Sequence, residues 1–188
     1  MTQSTHALSP FVVEEFCKLC DWTHEVWLNH RALFDDNPRS DELMKSFAGH
    51  ELERLSIISH EYSLLQIVKL HDRAIMGGNA TLGIEYVLVF GGWPNSVRDE
   101  LENMAKKLRD FAVPLRDVRN KVLSHNDLAS IVAGATLGSF EEDAEVQYFK
   151  ILKEFVNVVH KEVIGSPWPF NEFVKSDVAA FLDLIKPA

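Results

Sequence analysis

The stretch ELERLSIISHEYSLLQIVKLHDRA, residues 51–74, decides the fold class of this chain. Six of its positions recur at spacings of three or four residues, which is the period of one face of an α-helix. These positions are Leu52, Leu55, Ile58, Tyr62, Leu65 and Lys69. The glycines of MGGNAT, residues 76–81, end the pattern because they favour a turn. The stretch therefore predicts a long helix followed by a loop.

The segments before this stretch are also helical in pattern. Apolar residues repeat at the same spacing from residue 8 onward, which predicts a long first helix over residues 8–36. Pro38 disfavours helix at the residue before it, and Ser40 is a suitable N-cap in front of Asp41 and Glu42. We therefore expect the second long helix to begin at Ser40 and to continue through residues 51–74.

Four more pieces of helix follow along the chain. Thr81 is a candidate cap for a short helix, and GGWPN, residues 91–95, separates it from a long one in which Pro114 should cause a kink. Ser139 precedes two glutamates as an N-cap would, for a helix that ends near Ile164. GSPWPFN then breaks the pattern, and a terminal helix is predicted at about residues 173–186.

No segment alternates with the period of a β-strand, so the predicted fold class is all-α. Short loops between the helices favour an antiparallel bundle of about five to six helices. A chain of 188 residues with 46% hydrophobic residues can form one sizeable core. We expect a single helical domain over residues 1–188, with its central part at about residues 40–164.

Composition narrows the classes of function. The net charge of −9 argues against a protein that coats nucleic acid through charge alone, so that a nucleic-acid site would have to be local. Two cysteines cannot form a disulfide framework, and no signal-like segment opens the sequence. No apolar stretch approaches the ~18 residues that span a bilayer. These features predict a cytoplasmic protein without a membrane partner.

One local stretch is basic within this acidic chain. Between positions 106 and 121, only Asp110 and Asp117 oppose six cations, which are Lys106, Lys107, Arg109, Arg116, Arg119 and Lys121. Two interpretations stay open. The stretch is either an ordinary solvated helix face or a local surface that contacts RNA, for which Lys106, Lys107, Arg109, Arg116 and Lys121 are the candidates.

The basic stretch leads into RNKVLSHND, residues 119–127, which combines three groups suited to a phosphate. The guanidinium of Arg119 can form two parallel hydrogen bonds to an anionic oxygen pair, and the amide of Asn120 can position one. The imidazole of His125 can carry a proton near neutral pH. The alternative is a solvated helix end, where basic side chains satisfy the last carbonyl groups.

Metal and cofactor chemistry find little support. Cys17, Cys20 and His24 have helical spacing that could ligate zinc, but a structural zinc site needs four ligands and no second pair completes the set. Both cysteines lie on the apolar stripe and are better explained as small buried side chains. GGNATLG lacks the Gly-Lys-Ser/Thr of a phosphate loop. We predict neither a metal nor a cofactor.

Arg119, Asn120 and His125 resemble the signature of the HEPN superfamily. That signature consists of an arginine and a histidine separated by four to six residues, of which the first is often polar. The resemblance is closer to its abortive-infection (Abi) type, which LHDRAIMGGNATLGIEYVL and LRDVRNKVLSHND, residues 70–88 and 115–127, resemble over about residues 40–164. A second pair, Arg54 and His60, has the same spacing. It lies inside a continuous apolar helix without a polar residue after the arginine, so it is the weaker candidate.

This resemblance implies a helical domain that works as a homodimer and cleaves RNA without metal, often as a toxin or an antiphage effector. His125 would then act as base or acid in the attack of the ribose 2′-OH, and Arg119 would hold the phosphoryl oxygens while Asn120 keeps the geometry. An antitoxin or regulatory protein is a further expected partner. Asp72 is expected either to line the same cleft or to cap a helix end.

Helix geometry adds a constraint on this motif. Six positions along a regular helix separate Arg119 and His125 by about 9 Å and turn them roughly 120° apart. Either the helix unwinds before His125, or two subunits contribute to one site. Since some superfamily members have lost catalysis, the alternative function is a non-catalytic helical dimer that binds or scaffolds a partner.

Overall fold

The computed structural model describes residues 8–46, 48–118 and 143–185. Within these ranges the chain forms seven α-helices, one π-helical turn and a two-stranded antiparallel sheet, so the fold is an all-α bundle as predicted. The elements are α1 (Pro10–His30), the π turn (Arg31–Asp35), α2 (Ser40–Met44), α3 (Gly49–Leu70), β1 (Ile75–Met76), β2 (Asn79–Ala80), α4 (Ile84–Phe90), α5 (Asn95–Val118), α6 (Ala144–Ile164) and α7 (Val174–Leu184).

The chain divides into two compact units. The first contains Met1–Cys20 and Ile67–Trp168, and the second contains Asp21–Gln66 and Pro169–Ala188. Two of the three division points fall inside helices, so α1 and α3 each contribute residues to both units. None of the helices in the described ranges is both long enough and apolar enough to cross a membrane.

The core of the first unit lies where α5 and α6 pack together. Leu101 and Leu108 on α5 and Leu152 and Phe155 on α6 are fully buried. Phe155 also meets Phe16 of α1 edge to face, with ring centroids 6.0 Å apart, which is a favourable geometry for two aromatic rings. This packing fixes α5, the helix that leads toward the predicted catalytic motif.

The second unit is organised around the end of α1. The imidazole of His30 is buried, and its Nδ1 lies 2.7 Å from the hydroxyl of Ser59 on α3. The π turn follows directly, closed by the Asp36 N–H, which donates to the Arg31 carbonyl at 2.7 Å. α7 packs against this turn. The predicted first and last helices are therefore present, with a wider final turn at the end of the first.

The predicted helix from Ser40 onward is interrupted, which the sequence interpretation missed. The N–H and hydroxyl of Ser46 both donate to the Leu43 carbonyl, at 3.1 and 2.7 Å, and so end α2. A Cβ atom at position 49 would overlap the Met44 carbonyl oxygen, so the start of α3 requires glycine. The predicted cap was also wrong, because Ser40 is the first residue of α2 and Arg39 is the N-cap.

The loop after α3 contains a tight hairpin. β1 and β2 pair through Ile75 with Ala80 and Met76 with Asn79. Gly77 and Gly78 both have positive φ, at 56° and 85°, which is the requirement of a type I′ turn and explains the pair of glycines. The hairpin returns the chain to the end of α3.

Gly83 then begins α4 as its N-cap, in place of the predicted Thr81. A Cβ atom at this position would lie 2.7 Å from the carbonyl oxygen of Leu70, so only glycine allows the start of α4 to approach the end of α3 this closely. α5 continues through Pro114 to Val118, α6 ends at Ile164 as predicted, and the predicted cap Ser139 lies outside the described residues.

Candidate functional site

The predicted catalytic residues Arg119, Asn120 and His125 lie outside the described residues, as does Lys121. The helix that leads to them is described up to its last residue. α5 ends at Val118, directly before Arg119 in the sequence. The part of the structure that can be described just before the motif therefore consists of α5 and the elements beside it.

α5 has one buried face and one charged face. Leu101, Leu108 and Leu115 are buried on the first. The predicted RNA-binding residues Lys106, Lys107 and Arg109 are exposed on the other, and Arg116 is half-buried. This division follows from the spacing of apolar residues along the helix, and it leaves the cations available to a ligand.

A groove of about 810 Å³ lies between α4 and α5. Toward the start of α5 it is lined by charges of both signs, which are Arg98, Asp99 and Glu102. Further along the helix, Lys106 and Arg109 are the charged lining residues of α5. Glu85 of α4 also lines the groove, so it contains three cations and three carboxylates, and along α5 the cations Lys106 and Arg109 lie nearer the predicted motif than Asp99 and Glu102 do. Lys107 does not line it.

A smaller cavity of about 210 Å³ adjoins this groove, because Arg109 lines both. Its charged lining residues come from three parts of the chain: Arg73 after α3, Glu85 on α4, and Arg109 and Arg116 on α5. His71 and three apolar residues, Ile84, Leu88 and Ala105, complete the lining. Asp72 does not line this cavity, although both of its neighbours in the sequence do. We call this space the arginine cavity.

Arg116 holds one side of the arginine cavity in place. Its guanidinium Nη2 donates a hydrogen bond to the carbonyl oxygen of His71, at the end of α3. His71 is the residue after the last residue of α3. Its carbonyl has no hydrogen-bond partner within the helix, and Arg116 provides one. The contact joins the last turn of α5 to the end of α3.

His71 is a buried, neutral imidazole. Its Nε2 lies 3.0 Å from the hydroxyl of Tyr148, a side chain of α6 that is almost fully buried. Burial, followed by the positive charges of Arg116 and Arg109, lowers the pKa of His71 to about 3. At physiological pH the ring is therefore uncharged, and it is not a proton donor of the imidazolium kind.

The hydrogen bond to Tyr148 favours one tautomer of His71. Burial, with a smaller contribution from Cys20, raises the pKa of Tyr148 well above its usual value, so its hydroxyl keeps its proton. Among the described residues, His71 is the one hydrogen-bond partner of that hydroxyl. This arrangement favours donation from Tyr148 to Nε2, with the ring proton of His71 on Nδ1.

The charges in the arginine cavity are unbalanced. Glu85 uses its Oε2 to accept the N–H of Ala74 at 3.1 Å, which anchors the first strand of the hairpin. Within the described part of the chain, Arg73 and Arg109 form neither a hydrogen bond nor an ion pair. Three arginines against one glutamate leave two net positive charges around a small space.

Sequence reasoning missed three of these lining residues, His71, Arg73 and Glu85. All three lie in the segment that carries the family resemblance, residues 70–88, but their letters alone do not indicate a shared site. The hairpin brings them together, since it lets α4 start beside the end of α3. The two glycines with positive φ were the available signal, and it was interpreted only as a loop.

The competing pair, Arg54 and His60, has different surroundings. Arg54 is exposed and its Nη1 lies 2.9 Å from Glu51 within the same helix. The ring of His60 lies 5.1 Å from that of His30. Both residues lie within α3, and no turn follows the histidine. The regular helix therefore keeps them about 9 Å apart along its axis and turned roughly 120° from each other.

The cysteines of α1 are buried, as their apolar interpretation predicts. The side chains of Cys17 and Cys20 have no exposed surface. Over residues 8–46, 48–118 and 143–185, no three His, Cys, Asp or Glu side chains are grouped so that they could hold a metal ion.

Comparison with known families agrees with the helical fold and with the resemblance seen in the sequence. The model of the family described as HEPN_AbiU2, AbiU2, matches residues 10–183, nearly the whole chain and more than the predicted central part. The chain belongs to this family and is a HEPN-type abortive-infection protein. No curated protein matches it, and neither does any solved structure.

Proposed function

We propose that this protein is a metal-independent HEPN-type endoribonuclease that acts in the cytoplasm as a toxin or antiphage effector of abortive infection. Its substrate would be RNA, and an antitoxin or regulatory protein would be its further partner. Family membership over residues 10–183 supports the class, and the motif of Arg119, Asn120 and His125 lies within the matched range.

The observation that carries the proposal is the charged face of α5. Along α5, Lys106 and Arg109 lie nearer the motif than the carboxylates Asp99 and Glu102 do, and α5 ends one residue before Arg119. An RNA backbone is attracted by such a local positive surface even on a protein of net charge −9. The groove would thus guide a strand toward the motif.

The proposed reaction needs three contributions. A base removes the proton from the ribose 2′-OH, which attacks the adjacent phosphorus, and an acid protonates the 5′-oxygen that leaves. His125 supplies one of these proton transfers, and Arg119 stabilises the charge on the phosphoryl oxygens through two parallel hydrogen bonds. Asn120 holds the phosphate in position. The products carry a 2′,3′-cyclic phosphate and a 5′-hydroxyl.

We further propose that the reacting site is composed of two subunits. A regular helix would turn Arg119 and His125 roughly 120° apart, whereas a two-fold dimer would supply two histidines for the two proton transfers. The homodimer would place the segments of residues 119–127 near its axis.

The test of the activity is incubation of the purified protein with mixed cellular RNA in the presence of excess EDTA. We expect cleavage to continue at the rate seen without chelator, because the proposed chemistry uses no metal. Fragments with 2′,3′-cyclic phosphate ends would identify the attack by the 2′-OH. Intact RNA under all conditions would favour a non-catalytic binding domain, and loss of cleavage with EDTA would contradict the mechanism.

The oligomeric state gives a second test. We expect a homodimer at micromolar concentration, because each composite site needs both copies of the motif. Multi-angle light scattering should give twice the chain mass of 21.4 kDa. A mass of one chain at concentrations where the RNA is cleaved would contradict the composite site.

A further inference from the structure

We propose that the arginine cavity binds a dianionic phosphate monoester, the group found at the 5′ end of a phosphorylated RNA strand and in a free mononucleotide. The residues that line the cavity lie outside the motif of residues 119–127. The inference goes beyond cleavage and does not depend on it.

The first argument is charge. Arg73, Arg109 and Arg116 against Glu85 leave two net positive charges, and the first two have no counter-ion among the described residues. A phosphate monoester carries close to two negative charges at neutral pH, because its second pKa is ≈ 6. An internal phosphodiester of RNA carries only one. The monoester is therefore the better electrostatic match.

The second argument is the set of donors. Arginine side chains present planar forks of N–H groups that fit phosphate oxygens, and Arg116 is already held by its bond to the His71 carbonyl. His71 adds a neutral ring with its proton on Nδ1, because Tyr148 donates to Nε2. His71 lines the cavity, and no described residue is hydrogen-bonded to its Nδ1.

The third argument is size. A cavity of about 210 Å³ is smaller than the roughly 300–1,000 Å³ of pockets that enclose drug-sized molecules, so it suits a phosphate rather than a whole nucleotide. Arg109 also lines the larger groove between α4 and α5. The remainder of a nucleotide or RNA strand would therefore extend from the cavity into this groove.

The experiment measures binding to the full chain with ligands that cannot be cleaved. The probes are a fluorescent 2′-O-methyl oligonucleotide with a 5′-phosphate, the same oligonucleotide with a 5′-hydroxyl, AMP and adenosine. We expect the phosphate to strengthen binding at least tenfold within one or both pairs. Preference within the oligonucleotide pair identifies an RNA end as the source, and preference for AMP over adenosine identifies a free nucleotide. No preference in either pair would overturn the proposal.

Variants test the residues. Arg73→Ala and Arg109→Ala should each weaken binding of the preferred phosphorylated probe on the order of 10- to 100-fold, the scale of one lost charge-assisted hydrogen-bond pair. Glu85→Gln should strengthen it, since the amide oxygen can still accept the Ala74 N–H while the negative charge is gone. Arg54→Ala, an exposed arginine outside the cavity, is the matched control and should change nothing.

These results are independent of the nuclease activity, because none of the probes can react. A chain that cleaves RNA but does not distinguish phosphorylated probes would keep the proposed function and lose this site. A chain that binds the phosphate but cleaves nothing would lose the proposed function and keep the site. Unchanged affinity in both arginine variants, with normal circular dichroism, would also overturn the assignment.

Discussion

His125→Ala should reduce the rate of RNA cleavage on the order of 10² to 10⁴, the usual scale for loss of a general acid or base. Arg119→Ala should also remove cleavage, because the charge that develops on the phosphoryl oxygens would lose its stabilising donor. Arg119→Lys should restore little, since an ammonium cannot reproduce the planar pair of hydrogen bonds. The measurement is the initial rate on a single RNA, with excess enzyme.

The controls for this prediction are Arg54→Ala and His60→Ala, which alter the second pair with the same spacing. Arg54 is paired with Glu51 on an exposed surface, and neither residue belongs to the proposed site. We expect both variants to cleave RNA at the rate of the unmodified chain. If His125→Ala also cleaves at that rate, the activity belongs to another site or to a contaminant, and the assignment is wrong.

Acid should destabilise the protein through His71, and this is the second large effect that we expect. The pKa of His71 is about 3 in the folded chain and near 6.5 in an unfolded one. Between pH 3 and pH 6.5, His71 binds a proton in the unfolded state but not in the folded state. The free energy of unfolding is therefore unaffected by His71 above pH 6.5 and falls as the pH drops toward 3, by on the order of 3 kcal/mol between pH 7 and pH 4.

His71→Gln provides the matched variant. The glutamine oxygen can accept the hydroxyl proton of Tyr148 as Nε2 does, but the side chain does not titrate. Urea unfolding at pH 7, 5.5 and 4 should give a shallower loss of stability with acid for this variant than for the unmodified chain. Parallel profiles would show that His71 is not held neutral by its surroundings. The other buried histidines are common to both chains and cancel in the comparison.

The helices were predictable because their signal is local and periodic. α1, α5, α6 and α7 follow from apolar residues at helical spacing, and the end of α6 falls at the predicted Ile164. The break before α3 was not predictable in this way, because the spacing of apolar residues does not indicate it. Ser46 ends α2 through its two hydrogen bonds to the Leu43 carbonyl. Such termination depends on side-chain hydrogen bonds that compete with the helix.

The candidate sites divide in the same way. The motif of residues 119–127 could be recognised because its three members lie close in sequence, and it stays a prediction. The arginine cavity could not, because Arg73, Glu85 and Arg116 are distant in sequence and meet only when the hairpin folds back. The predicted basic stretch did identify two of its members, Arg109 and Arg116, although it treated them as a surface rather than as the wall of a cavity.

The close approach at Gly83 holds the end of α3 next to the start of α4, beside the arginine cavity. The backbone at the start of α4 lies against the Leu70 carbonyl with no side chain between them. The spacing of the two helix ends is therefore set by main-chain contact. His71 and Ile84, the residues next to this contact in the sequence, both line the cavity, so a side chain at position 83 would move two parts of its lining apart before any anion is bound.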